Sequence, residues 1–254
     1  MIRSEVPLLN LLADIGNTRV KWACADNKTL FGHGAFTYTQ DTLSELLRHN
    51  WRELARPEQV YFASVANAGV TERVYGFVRS AWKLEAQQAV TEKERGGLRN
   101  AYDDVAAMGV DRWLAMLSAW SRYKKPLCVI DSGTALTVDI ILGDGQHAGG
   151  FILPGLSLMA AALARETHGI RRRQEQDPEP EYGRSTAACI SNGFAFALAG
   201  LLDRCFSKTR EEQGVELLSV ITGGAAEQTL PLVPGQHIHE PHLVLQGLNR
   251  RFNR

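Results

Sequence analysis

A polar cluster that follows the first apolar run of the chain contains the residue types that bind phosphate groups. Residues 14–21 read Asp14-Ile15-Gly16-Asn17-Thr18-Arg19-Val20-Lys21. Because Gly16 has no Cβ, a ligand can approach its backbone closely, and the amides of residues 15–18 can point at phosphate oxygens. Thr18 adds a hydroxyl group and Lys21 adds a positive charge. The cluster predicts a phosphate-binding turn, with an ordinary hairpin and a solvated lysine as the alternative.

A second cluster repeats this pattern in the other half of the chain. Asp131-Ser132-Gly133-Thr134-Ala135 follows an apolar run at residues 127–130 and leads into another at residues 136–142. In both clusters an aspartate ends a β-rich run, a glycine permits a reversal and a second β-rich run returns, which is typical of a hairpin. The two Asp-x-Gly sequences lie 117 residues apart, close to half the chain. We therefore predict two copies of one domain, at residues 1–124 and 125–254.

A third candidate group is the carboxylate of Asp111, which is followed by Arg112. Apolar side chains recur around it at helical spacing, so we predict one long helix at residues 103–123. Asp111 falls on a face of small residues that includes Ala115 and Ser118, which leaves room beside the carboxylate. Such a group could take a proton from a substrate hydroxyl while Arg112 holds a substrate anion. The alternative is an exposed ion pair on a solvated helix.

Alternating helices and strands must position these three clusters. Helices are predicted at residues 41–51, 70–81, 103–123, 156–167, 185–206 and 225–230. Further strands are predicted at residues 59–66, 151–153 and 218–222. The result is two mixed α/β domains that each begin with a hairpin. We expect a ligand to bind in a cleft between them, where the two Asp-x-Gly turns would face each other.

The composition argues against several classes of function. The 254 residues are 44% hydrophobic and 22% charged, as in a globular protein, and 28 basic residues balance 28 acidic ones. No net field attracts nucleic acid or an anionic membrane, so we expect neither as a partner. The four cysteines form no C-x-x-C pair, which argues against a disulfide framework and favours a reducing cytoplasm. Residues 185–202 carry no charge, but their hydroxyl and amide groups favour a buried or interfacial helix over a membrane span.

Three other motifs have simpler interpretations. The chain has no Gly-Lys dipeptide, so a Walker-type phosphate loop is absent. Residues 143–148 spell G-x-G-x-x-A, but an apolar strand follows them instead of a helix, so we predict a hairpin turn. His237, His239 and His242 could place two imidazoles on one strand face, yet no cysteine or paired carboxylate completes a metal site. The charged residues 171–181 predict a mobile loop that could also cover the substrate.

Five motifs occur in an order that resembles the type III pantothenate kinase family. They are D-x-G-N-T-x-x-K from Asp14 to Lys21, G-x-D-R-W from Gly109 to Trp113, D-x-G-T-A-x-T from Asp131 to Thr137, G-G-x-I-x-P-G from Gly149 to Gly155, and T-G-G from Thr222 to Gly224. The combination is far more specific than any one motif. It implies an α/β fold with two duplicated ribonuclease H-like domains, of the acetate and sugar kinase/Hsp70/actin type.

The resemblance also implies an activity, the ATP-dependent phosphorylation of pantothenate to 4'-phosphopantothenate, which is the first step of coenzyme A biosynthesis. ATP would bind with Mg²⁺, and a monovalent cation, K⁺ or NH₄⁺, would be needed for ATP binding. The residues that match the ATP contacts of the family are Asp14, Ile15, Gly16, Asn17, Thr18, Arg19, Val20, Lys21 and Thr134. The residues that match its pantothenate contacts are Tyr102, Gly109, Val110, Asp111, Arg112 and Thr186.

Three aspartates have further roles by the same resemblance. Asp111 matches the catalytic base, Asp131 matches the ligand of the monovalent cation, and Asp14 would lie near the divalent metal ion. The family is a homodimer with its substrate site at the subunit interface, which suits the uncharged helix predicted from Ser185. Ala225 departs from the family, which often has an acidic residue at that position, and this departure could weaken adenosine or metal contacts.

Two other functions stay open on the sequence alone. Members of the family have also been described as accessory factors for a transcriptional regulator, so the chain could act as a binding partner. It could instead be another small-molecule kinase of the same fold, acting on a sugar or on acetate. Asp14, Asp111 and Asp131 are all intact, and a pure binding partner would have no reason to keep three carboxylates at a cleft. We therefore expect an enzyme.

Overall fold

A computed structural model of the protein describes residues 9–26, 29–167 and 178–252. The chain divides into two compact units. The first unit comprises Met1–Lys93, Tyr102–Ser118 and Leu243–Arg254, and the second comprises Glu94–Ala101 and Ala119–His242. Each unit has its own five-stranded sheet.

The secondary structure alternates between strands and helices along most of the chain. The strands are β1 (Asn10–Ile15), β2 (Arg19–Ala25), β3 (Leu30–Thr37), β4 (Gln59–Ser64), β5 (Gln87–Gln88), β6 (Glu94–Arg95), β7 (Leu98–Arg99), β8 (Leu127–Ser132), β9 (Ala135–Ile141), β10 (His147–Pro154), β11 (Leu218–Thr222) and β12 (His237–His239). The helices are α1 (Leu43–Trp51), α2 (Ala68–Trp82), α3 (Val110–Tyr123), α4 (Leu156–Glu166), α5 (Thr186–Gln213), α6 (Ala226–Thr229) and α7 (Leu243–Phe252). Short 3₁₀ turns lie at Val105–Ala107 and Leu230–Leu232.

The sheet of the first unit has the strand order β3-β2-β1-β4-β5. β1, β2 and β3 are antiparallel neighbours, whereas β4 runs parallel to β1 and β5 runs parallel to β4. The register places Asp14 directly opposite Lys21 on β2 and places Ile15 beside Ser64 on β4. Since β1 and β4 point the same way, the turn after β1 and the loop after β4 lie at the same edge of the sheet.

Helices cover both faces of the first sheet. α1 and α2 bury a residue at every fourth position against one face, and these residues are Leu43, Leu47 and Trp51, and Val70, Val74, Val78 and Trp82. On the other face, Leu12 and Tyr61 are partners in register and so point to the same side. Tyr61 stacks on Phe252 of α7, with ring centroids 4.1 Å apart. Packing on both faces of the sheet buries β1. The polar turn begins where this buried strand ends, after Ile15.

The sheet of the second unit repeats this arrangement, with the strand order β10-β9-β8-β11-β12 and the same strand directions. Buried and exposed positions follow one another identically in β1 and β8, and in β2 and β9. The turns differ, since three residues join β1 to β2 but only two join β8 to β9. Asp131 lies opposite Thr137, whereas Asp14 lies opposite Lys21. The predicted α/β class and the duplication are confirmed.

The compact units do not coincide with the predicted halves, residues 1–124 and 125–254. α7 belongs with the first sheet, and Gly247 lies so close to Leu114 of α3 that a Cβ there would collide with the Leu114 carbonyl oxygen. Glu94–Ala101 belongs with the second unit, because Arg99 binds the β9–β10 hairpin, with its Nη2 atom 2.6 Å from Oδ2 of Asp144. The assignment of α7 to the first unit and of Glu94–Ala101 to the second depends on contacts between residues that are distant in sequence.

The long helix predicted at residues 103–123 is wrong in its first part. α3 begins only at Val110, after a separate 3₁₀ turn. Asp104 caps that turn by accepting a hydrogen bond from the Ala106 amide at 3.1 Å, and Met108 then has an extended backbone, with ψ 129°. An aspartate that bonds to a nearby backbone amide competes with helix formation, which explains the interruption.

The small-residue face of α3 does not provide the predicted room beside Asp111. Ala115 and Ser118 are both buried, and the Ser118 hydroxyl donates to Oε1 of Gln246 on α7 at 3.2 Å. The close approach of Gly247 continues the same contact. The small residues therefore make space for a second helix, and any space beside Asp111 must come from the N-terminal end of α3.

Most other predicted elements are confirmed within a few residues. α1, α2, α4, α5 and α6 overlap the remaining predicted helices, and β4, β10 and β11 overlap the predicted strands. α5 continues to Gln213, beyond the predicted end at residue 206, and stops at Gly214, whose φ is 65°. β3 and α7 were not predicted. The charged segment 171–181 lies mostly outside the described residues.

α5 is the one helix of the described part of the chain that is long and apolar enough to cross a membrane, judged by length and composition alone. It also carries buried polar groups. The side chain of Asn192 accepts a hydrogen bond from the Glu179 amide at 3.2 Å and donates one to the Glu181 carbonyl at 2.9 Å. These bonds satisfy the amide within the protein.

Candidate active site

The turn after β1 is closed by backbone and side-chain hydrogen bonds. The Gly16 amide donates to the Arg19 carbonyl at 2.9 Å. Tyr38 holds the turn from the side, since its hydroxyl donates to the Gly16 carbonyl at 2.6 Å and its amide donates to the Thr18 carbonyl at 3.0 Å. Burial raises the pKa of Tyr38, so this hydroxyl stays a donor. Sequence reasoning missed Tyr38, because it lies beyond the strand that follows the turn.

The residues of this turn differ in what they can offer a ligand. Asn17, Thr18 and Arg19 are exposed at its tip. Ile15 and Val20 are fully buried in the core, so a ligand could reach only their backbone atoms. The carboxylate of Asp14 and the ammonium group of Lys21 stand on neighbouring strands at directly opposed, half-buried positions. The turn thus combines exposed polar groups at its tip with two opposite charges at its base.

The carboxylate of Asp111 folds back over the start of α3. Its Oδ1 atom accepts a hydrogen bond from the Arg112 amide at 2.8 Å. A Cβ placed on Gly109 would lie 2.6 Å from the same oxygen, so a larger residue there would make the carboxylate move. Asp111 is half-buried and lies in the first turn of α3, where the free amides of the helix stabilise negative charge.

The side chain of Arg112 is buried, with 6% of the residue exposed. Its Nη1 atom donates to the Tyr102 hydroxyl at 2.9 Å, and its guanidinium lies 5.8 Å from the centre of the Tyr102 ring. The alternative of an exposed Asp–Arg pair on a solvated helix is therefore wrong. A buried guanidinium needs polar partners, and the Tyr102 hydroxyl provides one. The family resemblance described above gives Tyr102 and Arg112 as contacts of the same substrate.

Val65 connects the polar turn with the start of α3. Its amide donates to the Ile15 carbonyl at 3.1 Å, which continues the β1–β4 register beyond the end of β4. Its Cγ1 atom lies 3.9 Å from the position that a Cβ on Gly109 would occupy. Asp14, which precedes Ile15, and Asp111, which lies next to Gly109, therefore stand at the same edge of the first sheet. No sequence pattern singled out Val65.

A cavity of about 340 Å³ opens at this edge. It is lined by Ser64, Val65, Gln88, Ala89, Val90, Thr91, Ala106, Ala107, Met108, Gly109 and Val110. All these residues belong to the first unit. Gly109 and Val110, which precede Asp111 in the chain, belong to this lining.

The turn after β8 in the second unit is enclosed by two glycines of the sequence motifs. A Cβ on Gly223, whose φ is 104°, would collide with the Ser132 carbonyl and lie 2.6 Å from Oδ1 of Asp131. Gly155 donates its amide to the Thr134 carbonyl at 3.0 Å. Thr134 is exposed at the tip. The predicted pairing of this turn with the first one around a common ligand stays a prediction.

Ala225, where the sequence departs from the family pattern, has a backbone role. Its amide donates to the Ser132 carbonyl at 2.9 Å, and its carbonyl accepts hydrogen bonds from the hydroxyls of Ser132 at 3.3 Å and Thr229 at 3.2 Å. These bonds need no acidic side chain. Thr186, the other predicted ligand residue of the second unit, is the exposed first residue of α5, and its role stays a prediction.

The remaining motifs have structural explanations. Residues 143–146 form the turn of the β9–β10 hairpin, as predicted, and Gly145 has φ 85°. His237 and His239 lie exposed on the short edge strand β12. Among the residues that the structure describes, no group of three or more His, Cys, Asp or Glu side chains could hold a metal ion. A divalent ion at Asp14 would thus need ligands that a substrate brings, which is how Mg²⁺ commonly binds with phosphates.

Comparisons with known proteins identify the family to which the chain is similar. Residues 10–208 match the family model for type III pantothenate kinase. A type III pantothenate kinase of Nitrosococcus oceani is 36% identical over 246 residues, which span 94% of this chain and 92% of that protein. One of Nitrosospira multiformis is 34% identical, over 95% of this chain and 90% of that protein.

Among solved structures, a Campylobacter jejuni protein described as a Baf family transcriptional activator is similar in fold. The match has a TM-score of 0.61 and 18% identity, and it covers 94% of this chain and 96% of that one. At this identity the likeness concerns the fold alone. It agrees with the duplicated sheets described above.

Proposed function

This chain belongs to the type III pantothenate kinase family and phosphorylates pantothenate with ATP, and we propose that the residues around Asp14 and Asp111 in the first unit perform the transfer. The observation that carries this assignment is the position of Val65, whose amide donates to the Ile15 carbonyl at 3.1 Å and whose Cγ1 atom lies 3.9 Å from where a Cβ on Gly109 would be. Phosphoryl transfer depends mainly on alignment and charge neutralisation. A phosphate-binding turn and a carboxylate at one sheet edge meet that requirement.

The turn from Asp14 to Lys21 binds the phosphates of ATP. Its support is the exposed tip with Asn17, Thr18 and Arg19, together with the backbone amides of Ile15 and Val20, whose side chains are buried. Tyr38 keeps the Gly16 and Thr18 carbonyls occupied by hydrogen bonds, which directs carbonyl oxygens away from an anionic ligand. In the second unit, Thr134 is a further ATP contact by family resemblance.

Asp111 acts as the general base. It accepts the proton of the primary hydroxyl of pantothenate while that oxygen attacks the γ-phosphorus of ATP. The bond from the γ-phosphorus to the bridging oxygen breaks, and 4'-phosphopantothenate and ADP result. The half-buried position of Asp111 in the first turn of α3, where its Oδ1 atom accepts a hydrogen bond from the Arg112 amide, supports this role.

Pantothenate is held by Tyr102, Gly109, Val110, Arg112 and, from the second unit, Thr186. The first four residues lie in one unit, and the hydrogen bond between Tyr102 and Arg112 orients the guanidinium. A pre-oriented arginine binds a carboxylate with less loss of entropy than a free one. The carboxylate of pantothenate is a suitable partner for it.

Two aspartates are suited to cations. Oxygen ligands are those that Mg²⁺ and K⁺ prefer, and the Asp14 and Asp131 carboxylates are half-buried at the ends of β1 and β8. Asp14 would hold Mg²⁺ together with phosphate oxygens, and Asp131 would hold K⁺ or NH₄⁺. When bound, these ions neutralise charge on the triphosphate.

We also propose a cytoplasmic homodimer that uses the α4–α5 side of the second unit. Large apolar side chains are exposed there and on β10, and they are Phe151, Ile152, Leu158, Tyr182 and Phe196. Tyr182 and Phe196 stack at 6.0 Å. Exposed apolar groups of this kind favour association. The four cysteines are free thiols, which suits a reducing compartment.

The test is ADP release by the purified protein with pantothenate, glycerol, several sugars or acetate, each in potassium, ammonium or sodium buffer. We expect turnover with pantothenate that potassium or ammonium supports better than sodium. Turnover with a sugar or acetate but not with pantothenate would overturn the substrate assignment. Absence of turnover with every acceptor would favour the alternative function as an accessory factor of a transcriptional regulator. Light scattering of the same sample tests the dimer.

A further inference from the structure

Tyr38 joins the polar turn after β1 to the core of the first unit. It lies between the end of β3 and the start of α1, and only 7% of the residue is exposed. Its ring belongs to a core cluster that also contains Leu43 and Leu47 of α1. The next residue, Thr39, fixes the chain at this place, since its amide donates to the Thr42 hydroxyl at 2.9 Å and its carbonyl accepts from the Leu43 amide at 3.1 Å. Tyr38 is therefore a rigid support for the groups that it contacts.

The hydroxyl of Tyr38 fixes the orientation of one peptide unit in the turn. It donates to the Gly16 carbonyl at 2.6 Å, and the same peptide unit carries the amide of Asn17. The bond between Gly16 and Asn17 is trans, and the C=O and N–H groups of a planar trans peptide point in opposite directions. The Asn17 amide therefore points away from the Tyr38 ring. Asn17 is exposed, so this donor belongs to the tip of the turn.

This orientation depends on the hydroxyl, because the backbone before Asn17 is a glycine. Gly16 has no Cβ to restrict its backbone angles, and its own amide is already engaged with the Arg19 carbonyl at 2.9 Å. If the Gly16 carbonyl lost its partner, the peptide unit could rotate and turn this oxygen toward the tip. Amide groups that point into a turn attract anions, whereas a carbonyl oxygen in the same place repels them.

We propose that Tyr38 is a positioning residue for ATP, because its hydroxyl orients the Gly16–Asn17 peptide unit so that the Asn17 amide donates to a phosphate oxygen. The inference rests on the proposed function of the turn at residues 14–21. Tyr38 acts through this peptide unit and not by contact with the nucleotide. A donor that is oriented before the ligand arrives loses less conformational entropy on binding. The hydroxyl therefore contributes to the binding of ATP and not to the binding of pantothenate.

The experiment compares Tyr38→Phe with the wild type in steady-state assays of ADP release. The substitution removes a single oxygen and keeps the ring in the core, so we expect a folded protein. The KM for ATP should rise by roughly 3- to 10-fold, the scale of one hydrogen bond, and the Kd for ATP from calorimetry should rise by the same factor. The KM for pantothenate should not change. A folded variant with the wild-type KM and Kd for ATP would overturn the inference.

Tyr61→Phe is the matched control, because it removes the same group from another buried tyrosine of the first sheet. Tyr61 is 9% exposed, but its side chain lies on the opposite face of the sheet and stacks on Phe252. This variant should keep the wild-type KM values for both substrates. If it raised the KM for ATP as much as Tyr38→Phe does, the effect would follow from the loss of any buried hydroxyl, and the role of Tyr38 would be refuted.

A nuclear magnetic resonance measurement on the wild type tests the Asn17 amide without any change at Tyr38. In protein that carries backbone ¹⁵N in asparagine, the Asn17 signal is identified by its loss in Asn17→Ser. Saturation with ATP and Mg²⁺ should move the Asn17 amide proton downfield, and an unmoved signal would overturn the inference while pantothenate is still phosphorylated. A wild-type enzyme that does not phosphorylate pantothenate would overturn the proposed function itself.

Discussion

The Oδ1 atom of Asp111 lies 2.6 Å from the place where a Cβ on Gly109 would be. The carboxylate can take its position over the first turn of α3 only because residue 109 has no side chain. The glycine of the G-x-D-R-W motif is thus explained by the aspartate two residues later. This relationship makes the orientation of the proposed general base sensitive to a single methyl group.

Substituting Gly109→Ala should therefore rotate or displace the carboxylate. We expect kcat to fall by about 10²-fold, the scale of a misplacement of about 1 Å, with little change in the melting temperature. The combined variant Gly109→Ala/Asp111→Asn provides the control. If the alanine acts through Asp111, the combination should be no slower than Asp111→Asn alone, and additive losses would contradict this explanation.

Asp111→Asn should remove the general base and leave the fold and ATP binding intact. Turnover should fall by ~10²- to 10⁴-fold, while calorimetry gives an unchanged Kd for ATP. Asp103→Asn, an exposed neighbour of the 3₁₀ turn, should retain wild-type turnover. Near-normal activity of Asp111→Asn would refute its role as the base.

Gly247→Ala should destabilise the first unit, because the new Cβ collides with the Leu114 carbonyl oxygen where α7 crosses α3. We expect a loss of about 1–3 kcal/mol in the free energy of unfolding. Gly76→Ala is the opposite case, since Gly76 is exposed within α2 and a Cβ there meets nothing within 4 Å. It should gain roughly 0.5–1 kcal/mol from helix propensity. Urea denaturation of both variants measures the contrast, and equal effects of the same sign would contradict it.

Tyr123 should ionise unusually late. Burial, and then its hydrogen bond to Glu240, raise the pKa of Tyr123 to about 12, and the hydroxyl donates to Oε1 of Glu240 at 2.8 Å. Since this pKa exceeds the ordinary value of 10.0, the unionised phenol stabilises the fold below about pH 10, and that contribution is lost as the pH rises toward 12.

Tyrosinate absorbance of the native protein should contain one late component that Tyr123→Phe removes. Glu240→Gln should shift this component to lower pH without abolishing it, because burial remains. An alkaline titration curve that is identical in the wild type and Tyr123→Phe would show that the group does not titrate as expected.

The sequence was informative where local chemistry decides structure. The two Asp-x-Gly hairpins were predictable, because an apolar run, an aspartate and a glycine in succession leave few conformations. β3 was not, since it is an edge strand whose two glycines and largely exposed side chains give it no apolar alternation. α7 was missed because Gly247 interrupts a short segment, and glycine within a helix is unfavourable unless packing requires it, as the close approach to Leu114 does here.

The candidate site was predictable in its polar members but not in its geometry. Asp14, Asp111 and Arg112 could be selected by residue type and motif. Val65 and Tyr38 could not, because their contacts with the turn arise from the parallel pairing of β4 with β1 and from the path of the chain after β3.

The equivalent aspartates of the two repeats stand across from different residues. In the first repeat that neighbour is Lys21, and in the second it is Thr137. A lysine ammonium beside a carboxylate competes with any metal ion for it, whereas a threonine hydroxyl can serve as one more oxygen donor. Equivalent aspartates of the two repeats therefore have different cross-strand neighbours, so that an ion bound at the first would share its carboxylate with an ammonium group and an ion bound at the second would lie near a hydroxyl.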